Sequence, residues 1–456
     1  MSDATDATAT ADIARRLDTL PLRPLHVATA LVAALGLFID IAELSINAVF
    51  STSFPDKMTF VPPWAHSLLL GSVFAGGILG APLFGFVADR FGRRIAMLTA
   101  MAIVGVFSIA AAVVTNVWFL ICFRFLSGVA LGAYPPLMTA WLADILPPRW
   151  RGRIILWADA LGFLGAPALV FIIYRLNGLS QFGTDQRAVE AWRLALVGLA
   201  TIAVICSIGF WMLPESPRWL AARGRNEKAR RALMRFDTAA RPPKVVAAAE
   251  DLAHAGLPAP PSRVEPRQVR SRVALILVLY TLRAVPTVIF PVMLGLVLRR
   301  KGIDFNTSLL LVAASSFGGT LGTVCASFII EHIERRIALC ACCGLLVLCG
   351  SVFAAADTAD LLLASAATFM TIGAIFGPIL SIYAAEILPT SIRASATAAG
   401  WGLTRLMSSL LPVVLLPILA GAGPWAFMGF VLASIILSLI AIAGFGVRQP
   451  PRRAIV

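Results

Sequence analysis

Charge is scarce in this chain. Asp, Glu, Lys and Arg make up only 14% of its 456 residues, against roughly 25% in soluble domains. That scarcity leaves no room for a large soluble domain. Histidine is scarcer still, with four residues, none in the middle of an apolar run where it could serve as a base. No HExxH, GxSxG or P-loop pattern occurs, which argues against a membrane enzyme. The seven cysteines sit inside or at the ends of apolar runs. Cys340, Cys342, Cys343 and Cys349 lie close together, but no histidine or carboxylate completes a metal-ligand set around them. They read as small, polarizable packing residues. Acids are outnumbered, 24 against 38 bases, for a formal charge of +14. The bases do not form a nucleic-acid patch. They sit in short clusters such as Arg90/Arg93/Arg94, Arg149/Arg151/Arg153 and Arg448/Arg452/Arg453. These fall on every second loop between apolar runs, the positive-inside pattern of a membrane protein.

What the chain has in abundance is apolar sequence. Hydrophobic residues account for 59% of it. Runs of about 20 residues, long enough to cross the hydrocarbon core as a helix, recur along the whole length. Barrel strands would be about ten residues long and alternating, so a barrel is excluded. Twelve membrane segments are expected, near 25–53, 65–88, 95–115, 117–145, 153–175, 192–213, 272–298, 308–330, 337–356, 361–385, 394–420 and 424–446. An even number puts both termini on one side, and the arginine clusters make that side cytoplasmic. Arg299, Arg300 and Lys301 are the main exception.

The expected organisation is a loose cytoplasmic tail (1–24), a six-helix bundle (25–213), a cytoplasmic linker (214–271), a second bundle (272–446) and a short cytoplasmic tail (447–456). The first tail has no apolar core of its own, unlike a cleaved signal peptide. Within the linker, Gly256-Leu-Pro-Ala-Pro-Pro-Ser262 is a turn-rich connector. Residues Glu227 to Asp237 read either as a short basic helix on the inner membrane face or as a solvated connector.

A repeat ties the two bundles together. Gly76–Met97 reads GGILGAPLFGFVADRFGRRIAM, and Gly318–Leu339 reads GGTLGTVCASFIIEHIERRIAL. Asp89 becomes Glu331, an offset of 331 − 89 = 242. The same offset carries Asp144-Ile-Leu-Pro147 onto Glu386-Ile-Leu-Pro389, and Arg151 onto Arg393. The halves are therefore copies of one unit, an arrangement that places a binding site at their seam. Gly76-x-x-x-Gly80 and Gly128-x-x-x-Gly132 are expected to let helix backbones approach closely.

The loop after the second segment reads Gly85-Phe-Val-Ala-Asp89-Arg90-Phe-Gly92-Arg93-Arg94. It resembles the signature loop of the major facilitator superfamily. Arg124-Phe-Leu-Ser-Gly128 resembles the motif on that superfamily's fourth helix. Pro214-Glu215-Ser216-Pro217-Arg218-Trp219-Leu220 is similar to the sugar-porter and metabolite (aromatic acid):proton symporter branches. The resemblance covers essentially the whole chain. It implies an all-α membrane protein of twelve helices in two pseudo-symmetric bundles, moving a substrate by alternating access. No cofactor is implied; a proton gradient would supply the energy. It also implies a cytoplasmic gate built from Asp89, Arg90, Arg93, Arg94, Asp144, Arg151, Glu215, Arg218, Glu331, Arg335, Glu386 and Arg393, with topology anchoring as the alternative role for these charges. The second copy of the loop is weaker, because Gly92 becomes Glu334 and Arg90 becomes His332.

Charges inside the apolar segments carry the functional reading. Each costs at least about 2.5–3.5 kcal/mol at mid-bilayer, so each needs a partner or a water-filled cavity. Asp40 and Glu43 are three residues apart on one helix face of the first segment. Two close carboxylates in a low dielectric cannot both ionise cheaply, which suits a group that binds and releases a proton. The pair partly resembles the Asp-Gly-x-Asp motif of aromatic-acid:proton symporters, with Ile41 and Glu43 departing from it. A solvated Glu43 near the outer surface is the alternative. Arg124 lies about 10 Å deep in the fourth segment, at the depth of Asp40, so an Asp40–Arg124 pair is expected as coupling switch or static ion pair. Asp159 is a second candidate proton site or the partner of an arginine.

Arg283 and Arg405 both lie near the midplane, about 16 Å deep. Two guanidinium forks at one depth suit an anionic substrate. Tyr280, Tyr383 and Trp401 are candidate stacking partners for an aromatic body, with packing the alternative for Trp401. The leading expectation is a monomeric, proton-coupled importer of a small organic anion, a carboxylate or aromatic acid, in a bacterial inner membrane. A proton-coupled drug or metabolite exporter and a non-transporting sensor on a transporter fold remain open. A sugar substrate is less favoured, because the seventh segment lacks the paired glutamines and the Ser-Gly-x-Asn typical of sugar porters.

Overall fold

The structure is a computed structural model that describes residues 13, 15–53, 63–180, 191–237, 266–329, 333–388 and 390–447. The described residues are nearly all helical. Eleven helices are long and apolar enough to cross a membrane. The last of these spans, Ala396–Phe445, has 50 residues, about 75 Å at 1.5 Å per residue and more than twice the hydrocarbon core. It is two helices. Gly423 breaks it with φ 80° and ψ −177°, a conformation open to glycine, and Pro424 follows. The twelve expected spans are therefore present.

The first three spans are Pro24–Ser53, Pro63–Phe91 and Arg93–Val113. The fourth is Val117–Leu131 continued by Tyr134–Ile145, and the fifth is Pro148–Phe163 continued by Gly165–Ser180. The sixth is Ala191–Met212. The seventh comprises Pro266–Ala284, a π-helical turn at Val285–Ile289 and Phe290–Arg300. Phe305–Ile329, Arg335–Ala355 and Ala359–Ile387 are the eighth to tenth, and Thr390–Phe445 holds the last two. Breaks follow local chemistry. The Pro135-Pro136 pair opens the second part of the fourth span, and Pro286 lacks the N–H that a regular helix would use.

The repeat is visible in the packing. A Cβ on Gly76 would sit 2.0 Å from the Phe125 carbonyl oxygen, and one on Gly80 would sit 1.9 Å from that of Val129. In the second half a Cβ on Gly318 would sit 2.4 Å from the Ala367 oxygen, and one on Gly322 would sit 2.2 Å from the Thr371 oxygen. The partners obey the same shift, since 367 − 125 = 242 and 371 − 129 = 242. Only glycine permits these backbone approaches.

Ion pairs repeat too. Arg93 pairs with Asp144, and Arg335 pairs with Glu386 at 3.6 Å. Arg94 donates to the Leu213 oxygen at 2.6 Å, as Arg336 does to the Ala443 oxygen at 2.5 Å.

The two bundles meet along three seams: second span against eleventh, fifth against eighth, first against seventh. Two hydrogen bonds that cross the seam, Ser51 Oγ to Val292 O at 2.8 Å and Arg299 Nη1 to Thr52 O at 2.9 Å, lie at the end far from the arginine loops. Large apolar side chains such as Leu79, Val106, Trp211 and Phe445 face outward, where lipid would lie.

The expectation of a loose first tail is corrected for its described part. Residues 15–19 are helical, and Ile13 and Leu17 are buried against Trp219, Leu220 and Leu233. Asp18 accepts from Arg218 at 2.5 Å and pairs with Arg151 at 3.7 Å. In the linker, Asn226–Phe236 is helical, close to the expected 227–237; residues 238–265 lie outside the described ones. The seventh span begins earlier than expected, at Pro266, because its first turns carry arginines beyond the apolar stretch.

Candidate functional site

The first span brings two acids into the middle of the protein, and their fates differ. Glu43 is fully buried, so the solvated alternative is excluded. It accepts from Ser108 Oγ and from Arg124 Nη1. Arg124 Nη2 also donates to the Glu43 backbone oxygen at 2.7 Å and to Asn47 Oδ1 at 3.1 Å, and the guanidinium lies 5.8 Å from the Phe50 ring centre. The expected Asp40–Arg124 pair is thus replaced by Glu43–Arg124. Glu43 lies one turn further along the helix, on the level of Ser108 and Asn47, and this polar cage engages both Nη groups of Arg124, leaving its buried Nε without a hydrogen-bond partner among the described residues.

Asp40 is also buried, and neither carboxylate oxygen has a hydrogen-bond partner among the described residues. The charges acting on it are Arg405, which attracts it across the seam, and Glu43, which repels it. Tyr134 stands close by, its hydroxyl donating to the Ala33 oxygen at 2.9 Å. Arg405 enters the seam beside the second span. Its Cδ lies 3.5 Å from where a Cβ on Gly77 would be. The symmetry-related place holds Phe163, 3.1 Å from the Cβ position of Gly319. An apolar ring in one half is a cation in the other.

Arg283 precedes the π-helical turn of the seventh span, where Thr287 Oγ1 donates to its carbonyl oxygen at 2.8 Å. Its guanidinium carbon lies 5.2 Å from the Tyr280 ring centre and 5.1 Å from that of Trp401. Such cation–π contacts hold a guanidinium in place without consuming its N–H donors. Nε and Nη1 are buried and have no hydrogen-bond partner among the described residues. Tyr280 is anchored in turn: its hydroxyl is 3.2 Å from Ser381 Oγ, and its carbonyl accepts from Thr404 Oγ1 at 2.7 Å. Arg405 is close enough to repel Arg283. The two arginines, the two rings and Asp40 thus converge on the seam.

One expectation, for Tyr383, and one of the two alternatives for Asp159 fail here. Tyr383 is not beside Arg283; its hydroxyl accepts from the Val447 N–H at 2.8 Å, past the end of the last span. It is packing and tethering, not stacking on a substrate. Asp159, half-buried on the fifth span, makes no hydrogen bond or ion pair among the described residues, so it has no arginine partner among them.

The charges at the arginine-rich end form contacts within each half. Besides Arg93–Asp144, Asp144 accepts from Ser216 Oγ at 3.2 Å. Glu215 caps the third span, accepting from the Arg94 N–H at 3.2 Å and the Ser216 N–H at 3.0 Å. Burial nevertheless pushes its carboxyl above the usual carboxylate range. Gly92 makes room for it, with φ 116° and a Cβ position only 2.2 Å from Glu215 Oε2. Arg90 is exposed beside Phe91, and the Asp89 carbonyl accepts from Arg223 at 2.5 Å. Glu331 and the side chain of Arg393 lie outside the described residues. The Arg93–Asp144 and Arg335–Glu386 pairs each stay inside one bundle, so neither latches the halves together at this end. Sequence reasoning missed Asn47, Ser108, Thr287, Ser381 and Asp18: the first four are neutral polar residues with no pattern around them, and Asp18 sits in a stretch without apolar periodicity.

Unlike charge environments, facing one another at the seam of duplicated six-helix bundles, define a membrane transporter of the major facilitator fold, not an enzyme. Residues 33–449 match the family described as "Sugar (and other) transporter", and the chain belongs to that family. It is 26% identical to the niacin transporter of Acinetobacter baylyi over 410 residues, 86% of each chain. It is 31% identical to the arabinose-proton symporter of Bacillus subtilis over 176 residues, 38% of this chain and 37% of that one. Its fold is similar to the xylose transporter of Escherichia coli in a partially occluded inward open conformation, with a TM-score of 0.69, 18% identity and coverage of 94% and 99% of the two chains.

Proposed function

We propose that the protein is a proton-coupled symporter that imports a small planar organic anion, a carboxylate with an aromatic body, through a bacterial inner membrane as a monomer. The observation that carries this reading is Arg283, held between Tyr280 and Trp401 with Nε and Nη1 buried and unpartnered among the described residues. An orphaned buried guanidinium is costly. A carboxylate would complete it bidentately, and a flat body beside it would find aromatic walls. A neutral sugar offers no such compensation. The niacin transporter among the relatives supports the same chemistry, since niacin is a planar aromatic carboxylate.

Asp40 is the proton carrier in this reading. Ionised, it attracts Arg405 across the seam. Protonated, it loses that attraction, and Arg405 is released from the first half. Proton symport by the arabinose and xylose relatives supports the coupling. Glu43–Arg124 acts as a fixed strut, not the switch. With the arginine-rich end taken as cytoplasmic, the seam-crossing bonds of Ser51 and Arg299 close the outer end, and the structure faces inward.

Uptake into proteoliposomes with an acid exterior tests the proposal against nicotinate, benzoate, xylose and a lipophilic amine. The wild type is expected to accumulate the acids, and Arg283→Gln to bind them about tenfold or more weakly at every pH. Accumulation of xylose alone would replace the anion with a sugar. Expulsion of the amine would make the protein an exporter, and binding without accumulation would make it a sensor.

A further inference from the structure

The linker helix Asn226–Phe236 has two faces. Ala229, Ala232 and Leu233 are buried with Ile13, Leu17, Trp219 and Leu220. Phe236 packs on His26 at the start of the first span, with ring centres 4.9 Å apart. The other face is exposed and basic. Lys228, Arg231 and Arg235 follow one another at spacings of three and four, so they share one side of the helix. The acid on that side is Glu227, which pairs with Arg231 at 3.0 Å in full solvent, where such a pair is weak. Asp237, half-buried, ends the helix.

This row is fixed at the level where the membrane ends. Arg235 Nη2 donates to the Met212 oxygen at 2.8 Å, on the last turn of the sixth span. Arg94 donates to the next carbonyl, that of Leu213, at 2.6 Å. Trp211 and Met212, on the same turn as these ties, are 71% and 64% exposed, which on a membrane span means facing lipid. A basic row therefore borders a lipid-facing tryptophan and methionine. Nucleic acid or an acidic protein would need the row turned toward bulk water, whereas Arg235 is tied down to the span.

We propose that Lys228, Arg231 and Arg235, flanked by Arg94, bind the headgroup phosphate of an anionic phospholipid in the leaflet at the arginine-rich end, its chains lying along Trp211 and Met212. Phosphate oxygens accept from guanidinium groups in charge-assisted, often bidentate bonds. Each basic residue near an anionic surface adds about fivefold to binding. The bound lipid would brace the linker helix against the sixth span. This site is independent of the substrate and of proton coupling.

Native mass spectrometry of the full-length protein in mild detergent tests it, with phosphatidylglycerol, phosphatidylcholine of matched chains, or glycerol 3-phosphate added. Wild type is expected to retain phosphatidylglycerol in preference to phosphatidylcholine. Lys228→Gln/Arg231→Gln leaves the Arg235–Met212 tie intact and should weaken retention about 25-fold, the product of two such factors. Arg175→Gln/Arg300→Gln, the same charge change at the opposite end, should leave retention unaltered. Retention by the Lys228/Arg231 variant equal to wild type would overturn the proposal. So would equal retention of phosphatidylcholine, or glycerol 3-phosphate binding as tightly as the lipid, which would make this a site for free phosphate.

Discussion

Arg124 and Glu43 show what a single buried charge demands of its neighbours. Their pair is sealed by Ser108 and Asn47, so removing one member strands the other. Glu43→Gln is expected to lower stability by about 3–5 kcal/mol, measured by thermal unfolding in detergent. Replacing both by leucine should recover much of that loss, since apolar substitutes for a whole buried pair are often neutral. Glu215 gives a pH signature. Burial raises its carboxyl above the unfolded value, so the folded state binds the extra proton. Its contribution is present below the unfolded value and is lost as pH rises through the raised one. Wild type should therefore lose stability relative to Glu215→Gln as pH rises through the carboxylate range; unfolding temperatures of the two proteins against pH check this. At this scale the sequence was half legible. Charges in oily segments announce themselves because they are costly, and Asp40, Glu43, Arg124, Arg283 and Arg405 all proved buried or near-buried. Their pairing did not follow from depth alone. Counting residues along a helix cannot tell which of two acids one turn apart an arginine will meet, and Asn47 and Ser108, which decide it, look like any other polar residue.

Helices in this protein are shaped by what they lack. Gly76, Gly80, Gly128 and Gly132 bring the second and fourth spans into backbone contact, and Gly318 and Gly322 do the same for the eighth and tenth. Gly128→Ala would push a methyl to within 2.0 Å of the Val73 oxygen, and Gly322→Ala to within 2.2 Å of the Thr371 oxygen. Each is expected to cost about 1–3 kcal/mol, read as lower thermal stability, whereas Gly85→Ala, with nothing within 4 Å, should be neutral. Span positions and the small-residue motifs were readable because hydropathy and glycine spacing are local signals. The π-helical turn after Arg283 was not. Pro286 marks the spot, but whether a helix kinks, ends or widens there depends on the packing of Tyr280 and Trp401 against it. The docked segment at 15–19 was missed for a similar reason: Ile13 and Leu17 acquire meaning only beside Trp219 and Leu220.

The whole molecule is two copies of one bundle, and the departures from symmetry are the informative part. The contacts of Gly76 and Gly80 with those of Gly318 and Gly322, and the Arg93–Asp144 and Arg335–Glu386 pairs, obey the shift of 242 (335 − 93 = 242), while Arg94 and Arg336, also 242 apart, tie to carbonyls at the end of the last span of each half. The central charges do not. That shift takes Asp40 to Leu282, Glu43 to Val285 and Arg124 to Ala366, and brings Arg283 and Arg405 back to Ile41 and Phe163. Shared contacts build the fold; in the proposed function the unshared charges divide the work, the proton falling to the first half and the anion to the second. The repeat was fully legible in the sequence, because its offset has no gap. That both halves aim these charges at one seam was not, because it depends on how the halves dock. Asp40 carries the central claim, and counterflow against gradient-driven uptake in proteoliposomes isolates it. Asp40→Asn is expected to exchange labelled substrate across the membrane at a rate near wild type and to accumulate none when a proton gradient is imposed. Full accumulation by Asp40→Asn would contradict the account.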